Sequence, residues 1–512
     1  MRSDPFNATL FGLVRKAGLV ASILVAASGM SFAQSVNLTA ASANATLPDG
    51  QIVPMWGYSC GAITAPATCA AANPNAGAGW SPVVITVPPG PLTINLTNNL
   101  PGAVPTSLTM VGQPGGGLGT TATTAASPTH PDLSATTWST VTPASGVAGQ
   151  GNPPPVIFHP PSQSARVQSF STEVAHGATT ALTWAKLNPG TYLIESGTHP
   201  SIQGPMGLYG VLVVTTAPAA GGRGVAYSSA NSIVNYDADV PMVLGEIDPV
   251  LNREIALDVV TTGFVETKPW SGQPHQCGDP TPGNANYRTC YPPMVNYDPR
   301  YYLINGVAFD RNNPSRSQVF VNSIAASTSQ VLVRFVNAGL RMHVPSMVGT
   351  QVVTVPGAKP ASGFALIAED AHVQPGLWKV QNEVFLPAGK VFDVLINAPA
   401  AGAAAIPVYD RQLSLSTDNQ RDGGMLTYIS VNNGVLPTQQ GAASGVTVPN
   451  TSTYYFAPNT TLSVSDPAKG VLANTTGVYG VQLVTATTAG SLTLNADGTF
   501  TYVPALNTAH DT

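Results

Sequence analysis

The sequence predicts an all-β protein built of sandwiches, and three observations predict it. Charged residues are only 9% of the 512-residue chain, too few to solvate the outer faces of helical bundles or coiled coils. Gly (50) and Pro (46) are dense and fall between short apolar runs, which is how turns punctuate strands. Those runs are rich in β-branched residues, as strands are. With 43% hydrophobic residues most of the chain can bury a core and is not disordered. A net charge of −5 leaves no electrostatic footprint for nucleic acid.

Taken in order, Arg15 and Lys16 precede an apolar run from Ala17 to Met30, and Ser31, Phe32 and Ala33 end it with small residues at −3 and −1. Residues 1–33 read as a secretory signal peptide. No later stretch approaches about 18 uninterrupted apolar residues, so no transmembrane span is expected. The chain is expected to be exported: extracellular, outer-surface or periplasmic. Four cysteines, Cys60, Cys69, Cys277 and Cys290, form two sequence-local pairs. In an exported chain the natural reading is two disulfides, 60–69 and 277–290, among three possible connectivities. Zinc ligation fits less well, because neither pair has C-x2-C spacing.

The strands follow. Val83 to Val87 is a β-branched run closed by Pro88, Pro89 and Gly90, and Leu92, Ile94 and Leu96 alternate with Thr93, Asn95 and Thr97. Further runs are Gly210 to Val214, Val331 to Val336 and Phe392 to Ile396. No helix-period segment longer than about two turns is expected after the signal. Residues 113–155 lack apolar periodicity and read as a long loop. Residues 433–452 read as an interdomain linker.

Residues 187–214 carry a specific resemblance. Pro189-Gly190-Thr191-Tyr192 leads through a loop bearing His199 to Gly207-Leu208-Tyr209-Gly210 and a last apolar strand. This is similar to the end of the first cupredoxin domain of multicopper oxidases. Asp49-Gly50, Pro89-Gly90 and Thr106-Ser107-Leu108 stand in the expected order upstream. Tyr302 to Gly306, Val333 to Gly339 followed by His343, Pro387 to Ile396, Tyr409 to Arg411 and Gly423 to Met425 resemble a second such domain. The resemblance implies tandem Greek-key cupredoxin sandwiches, domain 1 over 45–216 and domain 2 over 235–432, packed closely together. It also implies copper as cofactor, with oxygen and a metal-ion or small-molecule reductant as partners.

The ligands that the resemblance calls for are scarce. A laccase-type oxidase needs a cysteine with two histidines, and eight histidines in H-x-H pairs for an oxygen-reducing cluster. The eight histidines of this chain include no H-x-H pair. Thr109 and Val111 stand in the slots of the first pair, and His199 is at most one ligand of the second. His343 follows the Asn-Ala-Gly turn where many relatives carry histidine. His199 and His343 are therefore the candidate metal ligands, against an alternative of hydrogen bonding or packing. His275 lies two residues before Cys277 in a Pro-rich loop without a further His or Met close downstream. His176, before Gly177, reads as a turn residue. Glu173, Glu195, Glu369 and Asp370 are candidates for a hard-cation site, with solvated strand ends as the alternative. Phe170, Trp184, Tyr192 and Tyr209 read as core or loop-packing aromatics. No catalytic residue is assigned.

After residue 453 the pattern changes. Gly490-Ser-Leu-Thr-Leu494, an Asn-Ala-Asp-Gly turn and Phe500-Thr-Tyr502 resemble a hairpin of the repeated Ig-like modules of bacterial surface proteins, so 453–512 is expected to be a partial Ig-like module. The layout resembles the N-terminal part of very large manganese-oxidising multicopper proteins, and further domains of a longer chain are expected. The function so implied is part of a copper-dependent oxidase of Mn(II), Fe(II) or phenols, with complete copper sites absent from these residues. The alternative is a non-catalytic surface scaffold or binding protein.

Overall fold

The computed structural model describes residues 34–117, 123–125, 166–219, 222–229, 232–268, 277–279, 282–321, 324, 329–418, 423–437, 452–466, 469–473 and 481–511. The expected signal peptide, most of the 113–155 loop, His275 and most of the 433–452 linker lie outside the described residues.

The chain folds as two β-sandwiches and a small C-terminal sheet. Sandwich 1 contains β1 (Gln34–Thr46), β2 (Ile52–Thr64), β3 (Thr68–Ala71), β4 (Val83–Val87), β5 (Leu92–Asn99), β6 (Thr109–Met110), β7 (Thr123–Ala125), β8 (Arg166–Ser169), β9 (Thr179–Trp184), β10 (Gly190–Glu195) and β11 (Tyr209–Val214). One sheet runs β2-β1-β5-β9 and the other β3-β4-β11-β10-β6. The loop expected at 113–155 contains β7, which pairs with β8. In β5 the alternation works as read: Leu92, Ile94 and Leu96 enter the core, while Thr93 and Thr97 meet Thr183 and Thr179 on the outer face. β11 is buried on both faces. Leu212 and Val214 point into sandwich 1, and Val211 and Val213 point to sandwich 2. This is why its apolar run is continuous rather than alternating.

A hairpin of β12 (Gly224–Ser229) and β13 (Ser232–Tyr236) leads to sandwich 2. That sandwich comprises β14 (Ala238–Ile247), β15 (Tyr301–Ile304), β16 (Gln318–Val321), β17 (Gln330–Asn337), β18 (Pro345–Met347), β19 (Gln351–Val352), β20 (Ala361–Ser362), β21 (Phe364–Glu369), β22 (His372–Val373), β23 (Val380–Gln381), β24 (Val391–Asn397), β25 (Ile406–Asp410) and β26 (Leu426–Val431). Its larger sheet runs β15-β14-β17-β24-β21, with β22 and β23 both on β21, and its smaller sheet runs β16-β26-β25-β18. β19 and β20 pair with each other.

The second sandwich repeats the first. β15-β14-β17-β24 matches β2-β1-β5-β9, and β16-β26-β25-β18 matches β4-β11-β10-β6. The parallel pairs recur too: β1 with β5 and β14 with β17, β4 with β11 and β16 with β26. These crossovers between sheets are the Greek-key part of the architecture.

Among the described residues, two short α-helices depart from pure β structure. α1 (Pro200–Gln203) follows His199. α2 (Pro249–Asp258) is ten residues long, close to three turns, and corrects the expectation of no helix beyond about two. Asp248 Oδ1 accepts from the Val250 and Leu251 amides at 3.0 Å each, and Pro249 fills the first position, where its missing N–H is not needed. Leu251, Ile255 and Val259 then lie on one face and join the core of sandwich 1. The approach is so close that a Cβ on Gly102 would meet the Val259 carbonyl at 1.8 Å.

The sandwiches bury an apolar seam. Leu193, Tyr209, Val211 and Val213 pack against Val243, Ile247, Leu303 and Val336. Within this seam sits one ionic cluster. Arg334 is fully buried, and its Nε donates to Asp239 at 2.8 Å and its Nη1 to Asp393 at 3.2 Å and Thr191 at 2.9 Å. Tyr227 of the β12–β13 hairpin donates to the same Asp393 at 2.5 Å. Sandwich 1, the hairpin and sandwich 2 are thereby tied at one guanidinium. The C-terminal sheet has β27 (Leu462–Val464), β28 (Gly490–Leu494) and β29 (Phe500–Pro504) in the order β27-β29-β28. β28 and β29 form the hairpin read from the sequence, with Leu492 opposite Tyr502.

Candidate functional site

The corner that follows β5 in sandwich 1, and β17 in sandwich 2, is built by the same device. Asn98 Nδ2 donates to the Val104 and Val174 carbonyls, and its Oδ1 accepts from the Leu100 amide. Asn337 does the same with Arg341, Leu386 and Gly339. Gly177 and Gly389, with φ of 75° and 74°, turn the returning chain so that each amide reaches the corresponding asparagine carbonyl. The next bridge residue is Thr106 (with Val174) in the first sandwich and His343 (with Leu386) in the second. Thr106 and His343 therefore occupy equivalent places in the repeat.

In sandwich 1 this place holds a neutral network. Thr106, Ser107, Ser196, Thr198 and Gln203 are all 0% exposed. Gln203 Oε1 accepts from Thr106 at 2.8 Å and Ser196 at 2.6 Å, and its Nε2 donates to the Pro105 carbonyl at 2.8 Å. Thr198 donates to Ser107 Oγ at 3.0 Å, and Tyr58 donates to the Ser107 carbonyl at 3.0 Å. Burial pushes the Tyr58 phenol far up, with the Glu195 carboxylate adding to it. Of the two slots singled out in the sequence, Val111 is 40% exposed. Thr109 Oγ1 is enclosed without a hydrogen-bond partner, and a Cβ on Gly197 would stand 2.6 Å from it. The two slots thus hold a hydroxyl and an isopropyl group.

In sandwich 2 the equivalent place holds an ion cluster. His343 is 0% exposed. Its Nδ1 lies 2.9 Å from Asp410 Oδ2 and its Nε2 2.7 Å from Glu246 Oε1. Burial alone would lower the imidazole pKa, but the hydrogen bonds to Asp410 and Glu246 outweigh it and hold the group at about 9. His343 is thus a cation at neutral pH, donating from both nitrogens and keeping no lone pair for a metal. Asp410 also accepts from the Val344 and Gln412 amides; burial would raise its pKa, but the bond to His343 and those two amides carry it below the usual carboxylate value. Glu246 accepts from the Leu340 and Arg341 amides and from Tyr297.

His199 stands in a separate cluster. It takes the left-handed conformation, φ 41°, at the start of α1. Its Nε2 touches Glu266 Oε1, and its ring meets Tyr291 edge-on at 5.4 Å between centroids. Glu173 is close to this group. Burial raises its pKa, and the Glu266 charge raises it further. The four candidate carboxylates do not converge. Glu369 and Asp370 both pair with Lys390, at 2.5 and 2.7 Å, and Glu195 sits opposite Thr109 at the end of β10. His176 Nδ1 lies 2.7 Å from the Leu100 carbonyl within its turn. Trp184, Tyr192 and Tyr209 are buried, whereas Phe170, expected to pack, is 59% exposed.

Cys60 pairs with Cys69 and Cys277 with Cys290, each with Cα atoms 5.7 Å apart, and no cysteine is free. A blue copper site needs a thiolate beside imidazoles, and an oxygen-reducing cluster needs convergent imidazoles. Among the described residues no group of three or more His, Cys, Asp or Glu is placed to hold a metal ion. With the thiols oxidised and the two candidate histidines held by carboxylates, the donors among the described residues do not fit a multicopper centre. The sequence missed Glu246, Asp410 and Glu266 as partners of those histidines.

No family model matches this chain, and no curated protein matches it. Solved structures give weak likenesses; the three that follow are each 13% identical. A blue copper oxidase from Nitrosomonas europaea has a TM-score of 0.43, over 78% of this chain and 85% of that one. A multi-copper oxidase from Pseudomonas thermotolerans has a TM-score of 0.42, over 79% and 64%. A copper nitrite reductase from Nitrosomonas europaea has a TM-score of 0.42, over 77% and 92%. Likeness at this level assigns neither family nor chemistry. Among the described residues, no helix is long and apolar enough to cross a membrane.

Proposed function

We propose that residues 34–437 form an exported, cupredoxin-like double sandwich that serves as a scaffold or binding module and holds no copper of its own. The observation that carries this reading is what fills the expected ligand positions. Where the sequence resemblance places copper ligands, Thr109 and Val111 offer a hydroxyl and an isopropyl group, His199 meets Glu266, and His343 spends both nitrogens on carboxylates. The two disulfides support export, since such bonds persist in oxidising compartments. The Ig-like reading of the C-terminal hairpin suits a surface location. Equilibrium dialysis of the purified chain against Cu(II), followed by metal analysis and absorption spectroscopy, tests the proposal. The expected result is no stoichiometric copper and no thiolate-to-copper band. Several coppers per chain with oxygen turnover would overturn it.

The second reading, a copper-dependent oxidase of Mn(II), Fe(II) or phenols, is favoured by the ordered motifs from Pro189 to Tyr209 and from Tyr302 to Met425. It requires a full ligand set from residues outside this sequence. Oxidation of Mn(II) or a phenol by a longer chain, lost when His or Cys residues beyond position 512 are replaced, would establish it.

A further inference from the structure

A groove lies on the seam between the sandwiches, between residues 71–75 of sandwich 1 and residues 304–320 of sandwich 2. A cavity of about 290 Å³ and a smaller one of about 30 Å³ share Asn73, Asn75, Val307 and Arg316 and so adjoin, and Asp310 lines the smaller one. Arg316 is the one charged residue lining the larger cavity. It is exposed, and no carboxylate among the described residues pairs with it. Ser317 lines the same cavity at 3% exposure, and its Oγ has no hydrogen-bond partner. The side-chain amides of Asn75 and Gln318 also line it and have no partner among the described residues. Phe320, on the edge strand β16, is 59% exposed beside them.

We infer that this groove binds a uronate-containing linear polysaccharide, with the carboxylate of one acidic sugar at Arg316. An unpaired guanidinium matches a carboxylate bidentately. The side-chain amides of Asn75 and Gln318, open to the groove, can hydrogen-bond a ligand covered in hydroxyl groups. The exposed Phe320 ring offers a flat apolar plate to the C–H face of a sugar. A cavity near 290 Å³ is at the lower end of small-ligand sites, which suits one ring rather than a large cofactor. The adjoining smaller cavity has room for about one water rather than a second ring, so neighbouring rings of the chain would lie over the open surface beside Phe320. An extended peptide would instead add to β16 by backbone pairing, whereas the unmet groups here are on side chains. The inference goes beyond the scaffold reading and does not depend on whether copper binds elsewhere.

The test is calorimetric titration of the full chain with hexamers of galacturonate and of mannuronate, and with cellohexaose and poly-glutamate as controls. At least one uronate hexamer is expected to bind saturably, with both controls at least about tenfold weaker. Arg316→Gln and Phe320→Ala should each weaken uronate binding about tenfold or more while the unfolding midpoint stays put, since both side chains are exposed. Absence of saturable uronate binding, binding that Arg316→Gln leaves unchanged, or equal binding of poly-glutamate would overturn the proposal. So would preferential capture of neutral extended peptides insensitive to both substitutions.

Discussion

The corners at Thr106 and at His343 hold equivalent places in one repeated sandwich, yet one is filled with neutral hydroxyls and an amide and the other with an imidazolium between two carboxylates. The supporting backbone is the same, down to Asn98 and Asn337 and the glycines that face them. The fold therefore leaves the chemistry of this position open, as long as every buried polar atom finds a partner. What differs is the stake. A neutral hydrogen bond contributes about 1 kcal/mol net, while removing one member of a buried ion cluster leaves an uncompensated charge.

The comparison can be broken most sharply at His343. His343→Ala should destabilise the protein by about 3–5 kcal/mol, because Glu246 and Asp410 then face each other without a cation; urea unfolding measures it. The pH dependence comes next. The folded pKa of about 9 lies above the ordinary 6.5, so the folded state holds this proton more tightly than the unfolded chain. Its contribution is complete below about 6.5 and is lost as pH rises through about 9, on the order of 3 kcal/mol in all. Unfolding midpoints between pH 6 and pH 10 should trace that loss, and His343→Gln should flatten it.

Smaller effects belong to the neutral corner. Gln203→Leu leaves the Thr106 and Ser196 hydroxyls unmet and should cost about 1–3 kcal/mol, with no change in slope between pH 6 and 10. Gly197→Ala should cost about 1–2 kcal/mol, since its methyl would press on Thr109 Oγ1 and the interior has little room to yield. Thr109→Val should be neutral or stabilising by up to about 1 kcal/mol, because it removes an enclosed hydroxyl that has no partner. A loss of stability in Thr109→Val would show that its hydroxyl does hydrogen-bond in solution.

Much of the fold was legible in the sequence because its signals are local. The alternation in β5, the continuous apolar run of β11 and the Asn495–Gly498 turn are each written within a few residues. α2 was legible only in part: the Asp248-Pro249 cap is a start signal, but its apolar face, Leu251, Ile255 and Val259, is thin. The site was far less legible. Glu246 and Asp410 lie 97 and 67 positions from His343, and Glu266 reaches His199 from beyond α2. Nothing local marks such partners, so two histidines in ligand-like positions read as candidate ligands. The tandem sandwiches were expected from the resemblance, but the equivalence of Thr106 and His343 was hidden because the residues shared around them are few and the two corners are filled differently.

The most direct measurement of the central claim is a ¹⁵N NMR titration of the His343 imidazole, assigned by comparison with His343→Gln, with and without Cu(II). Both ring nitrogens should carry protons at pH 7, deprotonation should be half complete near pH 9, and substoichiometric Cu(II) should leave the signals sharp. A neutral tautomer at pH 7, or selective loss of the His343 signals with the first addition of Cu(II), would contradict the claim that this corner is closed by its own carboxylates.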